Sequence, residues 1–116
     1  MAAVILSGEV RLPSPTDLSA GALLLVRLVS APYADAPGKT LAETERMVSG
    51  ACVTALSFAL RVRPDDLPSA GLLFEAELRR GGGSRLRPGD FLSTRSVAWS
   101  PAAGTRAITI LLEPVS

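Results

Sequence analysis

The chain has no histidine, a single cysteine, Cys52, and few aromatic residues, 4% of the total. Without histidine there is no histidine-based catalytic triad, no imidazole general base and no usual catalytic zinc site. With one cysteine there is no internal disulfide. Nor is there an imidazole to activate Cys52 as a nucleophile, so it reads as a small, partly buried side chain. The aromatics are too sparse for a platform that stacks nucleic-acid bases. No run of ~20 apolar residues is present to cross a membrane as a helix. Neither sign of charge prevails: 12 basic against 11 acidic residues leave a net charge of +1, which provides no global field to gather nucleic acid. The first six residues are apolar, but no Lys or Arg precedes them. They also fall short of the ~7–15 residues of a signal core.

What is present is a globular composition, 47% hydrophobic over 116 residues, read as one domain spanning 1–116. Short apolar or alternating runs recur between Gly, Pro, Asp and Ser, the signature of many short strands. Seven candidates stand out, at 3–12, 22–30, 39–47, 53–62, 71–79, 90–99 and 105–113. Pro13 and Pro15 are expected to break the ladder after the first. Leu56, Phe58, Leu60 and Val62 alternate with small or polar neighbours, as do Leu72, Phe74, Ala76 and Leu78. Each set makes one buried face of a strand with period two. The third candidate carries Leu41, Glu43, Glu45 and Met47 on one face, with charges that suit an edge. Ala31 to Gly38 is a connection, and 64–68 reads as a single helical or 3₁₀ turn. Alternating stripes of this kind are buried when two sheets face each other. The expected fold is an all-β, single-domain antiparallel β-sandwich of about seven strands, immunoglobulin-like or transthyretin-like.

Chemistry-bearing groups are few. Glu75 and Glu77 lie two apart on a strand, ~7 Å from each other at a ~3.4 Å rise, near the spacing of paired glycosidase carboxylates. No cleft or sugar-stacking aromatic accompanies them, and they read as the wet face of the strand. Asp65 and Asp66 suit turn and capping roles. The segment Gly81-Gly82-Gly83-Ser84 lacks the Lys-Ser/Thr ending of a phosphate loop and reads as a hairpin connection. Arg79, Arg80, Arg85 and Arg87 surround it, either as a solvated tip or as a contact for an anionic surface. Leu23 and Leu25, with Leu24 between them, suit either a central strand covered on both faces or an apolar groove for a partner segment. Tyr33 and Trp99 are the aromatics best placed near loops for contact with a partner or a small ligand. No catalytic or metal-binding constellation emerges, and no cofactor is expected.

The order of landmarks carries a resemblance. A Gly-x-Val strand (Gly8, Val10) meets a Leu-Pro break (Leu12-Pro13), and Gly21-Ala22 precedes an apolar strand. Ala34-Asp35-Ala36-Pro37 forms a connection, followed by the Ala42-Glu43 pair, a Phe-x-Leu strand (Phe58, Leu60) and a Pro-containing turn from Pro64 to Leu67. Over roughly residues 4–100 this resembles the YbaY/YscW-type lipoprotein domain family, which includes type III secretion pilotin-like chaperones. The resemblance implies a compact envelope β-sandwich without enzymatic activity, normally lipid-anchored at an N-terminal cysteine. Its pilotin members assist the placement or assembly of an outer-membrane secretin ring. Cys52 lies mid-sequence, away from such an anchor position. Ala34, Asp35, Ala36 and Pro37 transfer as a structural turn, in which Pro fixes φ and Asp bonds nearby backbone N–H groups.

The expectation is therefore a non-enzymatic protein-binding domain, with a secretin-like subunit as partner if the resemblance holds and no nucleic-acid partner. The alternative is a small-ligand or carbohydrate-binding module. By resemblance the compartment is the bacterial cell envelope or periplasm if a leader has been removed, and the cytoplasm if Met1 is the native start.

Overall fold

A computed structural model describes residues 3–30, 39–63, 71–81, 85–93, 97–99 and 108–115. They form nine strands: β1 (Val4–Thr16), β2 (Ala22–Ser30), β3 (Lys39–Val48), β4 (Val53–Val62), β5 (Leu72–Arg79), β6 (Phe91–Leu92), β7 (Val97–Trp99), β8 (Ile108–Leu111) and β9 (Glu113–Pro114). Among the described residues there is no helix. The turn expected at 64–68 lies outside them, as does the whole Ala31 to Gly38 connection. The strands make two packed sheets, one ordered β4-β1-β8 and the other β3-β2-β5-β6-β9 with β7 also on β5. The fold is the all-β sandwich expected from the alternating stripes.

The buried stripes meet in one core. Leu56, Phe58, Leu60 and Val62 of β4 face Leu72, Phe74, Ala76 and Leu78 of β5, with Leu24, Val26 and Leu28 of β2 alongside. Phe74, at 0% exposure, sits at the centre. Its ring centroid lies 6.2 Å from that of Phe58 and 6.1 Å from that of Trp99, the latter edge-on.

Four features depart from the sequence expectation, each for a local reason. First, β1 runs on to Thr16 rather than stopping at Pro13. The regular ladder with β4 ends at Arg11↔Ala55 and resumes at Thr16↔Val53, so the two prolines occupy an irregular stretch in which the strand keeps its direction. Second, β3 is bulged: Leu28 pairs with Ala42 and Val29 with Thr40. Leu41 is the extra residue and packs against the core, leaving Glu43, Glu45 and Met47 on the outer face without it. Third, the candidate at 90–99 divides into β6 and β7, both antiparallel to β5 but in registers two residues apart. Fourth, the last candidate divides at Leu112, where the chain passes from one sheet to the other. β8 pairs with β1, while β9 pairs with β6. The β1–β8 ladder is parallel, the exception in an otherwise antiparallel sandwich. Cys52, read as partly buried, is exposed in the turn before β4.

Two carboxylates fix the turns. Asp90, 6% exposed, accepts the backbone N–H groups of Arg80 and Arg87, each at 2.9 Å, and so closes the β5–β6 hairpin. Its own carbonyl accepts the Val115 N–H at 2.8 Å, which ties the C-terminal strand to the same point. Asp90→Ala strips both N–H groups of their charged acceptor. The expected loss is about 2 kcal/mol, read as a lower denaturant midpoint with an unchanged m-value. An unshifted midpoint would show the hairpin closed without it.

Asp17 caps the turn between β1 and β2. Ser19 donates both its hydroxyl and, at 2.9 Å, its backbone N–H to Oδ1. These two bonds, aided by the charge of Arg80, hold the Asp17 carboxyl below the usual carboxylate range. A depressed folded pKa contributes stability above the unfolded value of about 3.9, and that contribution disappears as pH falls through the lower folded value. The melting-temperature gap between the wild type and Asp17→Asn should therefore narrow as the medium is acidified below about pH 4. A gap independent of pH would contradict this.

Candidate partner-docking seam

The two sides of the sandwich are closed differently. On one side the chain itself stitches the sheets together as β8 gives way to β9. On the other, β3 is the edge of the larger sheet and β4 the edge of the smaller. Residues 49–52 join these two edges at one end. There the Leu18 N–H donates to the Gly50 carbonyl at 2.7 Å, and Val48 is buried.

Away from that turn the edges part around two clefts. The nearer, about 260 Å³, is lined by Leu24, Thr44, Glu45, Arg46, Ser57, Phe58 and Ala59. The farther, about 470 Å³, is lined by Ala3, Lys39, Thr40, Leu41, Arg61, Val62 and Arg63. Leu24 and Phe58 belong to the core, so the nearer cleft reaches the sandwich interior from outside.

The chemistry of the two banks differs. Facing inward, β3 offers Ala42, Thr44 and Arg46, in register with Leu28, Val26 and Leu24. An inward-pointing charge of this kind discourages edge pairing, as does the β3 bulge. The β4 bank has no charge and no proline from Val53 to Leu60, and its outward residues there are the small Ala55, Ser57 and Ala59. Among the described residues, Lys39, Arg46, Arg61 and Arg63 line the clefts with one acid, Glu45. These four cations have no ion pair among the described residues.

The residues singled out in the sequence lie elsewhere. Leu23 and Leu25 project from the outer face of the larger sheet, opposite the core. Leu25 is 3% exposed and Leu23 half-buried, with the 65% exposed Met47 beside it in register. Leu25 is thus a packed residue and presents little to a partner. Trp99 is half-buried on the core side of the same sheet, so it is not brought together with Leu23 and Leu25. Tyr33 and the Ala34, Asp35, Ala36, Pro37 turn lie outside the described residues.

Of the arginines, Arg79 donates to Glu77 at 2.9 Å, and Arg80 to the Asp17 carbonyl at 3.1 Å. Arg85 and Arg87 are exposed. Glu77 in turn bonds Arg27 at 3.0 Å, and Arg27 bonds Glu43 at 3.0 Å, making an ionic row across β3, β2 and β5. Burial works against the Arg27 charge, but the two glutamates outweigh it and hold the guanidinium more firmly protonated than usual. Glu77 is therefore a partner within this row, and neither it nor Glu75 lines either of the two clefts.

The seam was missed in the sequence because its residues belong to strands that do not pair. The available signal was the cationic far ends of two strands joined by a short turn, Lys39 on one and Arg61 and Arg63 on the other.

A family model described as type III secretion system lipoprotein chaperone (YscW) matches residues 1–87. A solved structure of an alternative pilotin from the type II secretion system of Vibrio cholerae superposes with a TM-score of 0.80 at 20% identity, covering 99% of each chain. At that identity the likeness is one of fold. No curated protein sequence matches the chain.

Proposed function

Because the chain belongs to the YscW family of type III secretion lipoprotein chaperones, we propose that it is a non-enzymatic, protein-binding chaperone of the bacterial envelope. Its partner is a secretin-like outer-membrane subunit, which docks at the seam between β3 and β4. The observation that carries the docking site is the nearer cleft, where core residues Leu24 and Phe58 meet open space beside two strand edges. An apolar floor flanked by hydrogen-bonding edges and charged rims is the chemistry of peptide capture. Among the described residues no helix is long and apolar enough to cross a membrane, and a lipid anchor would supply the membrane attachment that the family description carries.

The test is co-expression with the secretin-like subunit of the same cell. The two are expected to copurify, and binding should raise the melting temperature of the chain by mass action. Ser57→Trp, which crowds the seam from an exposed position, should abolish copurification without unfolding the chain. Copurification undiminished by Ser57→Trp would remove the seam from the reading, and failure of the wild type to copurify would remove the partner.

A further inference from the structure

The two banks of the seam are unequal, and the inequality specifies an occupant. The β3 edge is defended by a bulge and by Arg46 turned inward. The β4 edge is ten residues long, and its first eight positions carry neither charge nor proline. No described residue pairs with its outer side. The smaller sheet has three strands against the longer row of the larger sheet, so its β4 side is where a further strand would extend it over the seam. Such a strand lies about 4.8 Å from its neighbour. Its alternate side chains would reach down toward Leu24 and Phe58.

Charge selects the sequence of that strand. Among the described residues the seam gathers four cations, Lys39, Arg46, Arg61 and Arg63, with Glu45 as the one acid, on a chain whose net charge is only +1. Three of the four surround the wider cleft, which no acid lines among the described residues. A second copy of the chain offering its own β4 would bring no acidic residue to meet them, because β4 contains none.

We infer that the seam binds an extended acidic segment of the partner, added as a strand on the open edge of β4, with carboxylates over Lys39, Arg61 and Arg63. This rests on the partner-binding reading above and adds the conformation and charge of what is bound. Main-chain hydrogen bonds to β4 give the affinity, and the cations give the selection.

The experiment uses the full chain and a labelled ten-residue peptide of alternating valine and threonine with a glutamate pair at each end, against its lysine counterpart. The acidic peptide is expected to bind and the lysine peptide not, with affinity falling as salt is raised. Arg61→Glu with Arg63→Glu should weaken binding by roughly tenfold or more, and circular dichroism confirms that this exposed pair leaves the fold intact. Hydrogen exchange should slow at alternate amides of residues 53–62 on binding, because on an edge strand alternate N–H groups face outward.

Binding without that protection overturns strand addition, and equal binding of the lysine peptide overturns the charge selection. A peptide-free, concentration-dependent dimer protected along β4 makes a second copy the occupant and overturns the proposal. If the acidic peptide fails while the secretin-like subunit still copurifies, this inference falls and the partner-binding reading stands. If the peptide binds as described and the subunit does not copurify, the inference stands and the choice of partner falls.

Discussion

Phe74→Ala is expected to destabilise the sandwich by about 4 kcal/mol, the largest loss of any single truncation in the core. Phe74 is wholly buried, and it is the ring that Phe58 approaches from the smaller sheet and Trp99 from its own. Removing it costs the transfer energy of the ring, the tilted contact with Phe58 and the edge-on contact with Trp99, and the cavity between two sheets that the backbone ladders hold apart. For a chain of this length the melting temperature should fall by roughly 15 °C. Phe74→Leu keeps most of the volume and should cost less than half as much. A Phe74→Ala protein melting within a few degrees of the wild type would show that the two sheets collapse onto the gap.

Gly8→Ala is expected to cost about 3 kcal/mol, at the upper end of what overpacking produces. A Cβ on Gly8 would lie 2.0 Å from the carbonyl oxygen of Ile108 and 2.8 Å from its carbonyl carbon and its nitrogen. These are backbone atoms, so no side-chain rotation relieves the clash, and β8 must move away from β1. β8 is held by a four-residue parallel ladder and by the Leu112 N–H bond to the Arg11 carbonyl at 2.9 Å. Moving it withdraws Ile108, Ile110 and Leu112 from the core together. Faster hydrogen exchange at 108–112 than along the β2–β5 ladder would locate the damage. Unchanged exchange at 108–112 would contradict the close approach. Gly8 is one of the landmarks on which the family resemblance rested, and this contact gives a physical reason for a glycine in mid-strand.

Period-two alternation was enough to identify the core. Leu56 to Val62 and Leu72 to Leu78 point inward as their spacing requires, and Ile108, Ile110 and Leu112 do the same although Leu112 marks a change of sheet. Alternation reports which residues share a face but not which strands are neighbours. The parallel β1–β8 ladder, the crossing at Leu112 and the opening between β3 and β4 are all neighbour relations, and none leaves a periodic trace. The bulge that frees Leu41 was hidden for a related reason: a one-residue insertion looks like unbroken alternation until the partner strand is known.

Asp90 was passed over as the first residue of a strand. The burial of Asp90 depends on two N–H groups ten and three residues away, which no local pattern reveals. The seam cations were legible as charges and not as a cluster. Leu23 and Leu25 drew attention as an apolar run, whereas the interior is reached from the seam through Leu24, the residue between them.

The docking claim is tested most directly by site-specific photocrosslinking in cells that also produce the secretin-like subunit. A photoreactive residue is placed at Ser57 on the seam, or at the exposed Thr109 on the opposite edge of the same sheet. Crosslinks to the subunit from position 57 and none from 109 are expected. Crosslinks from 109 with none from 57 would contradict the account.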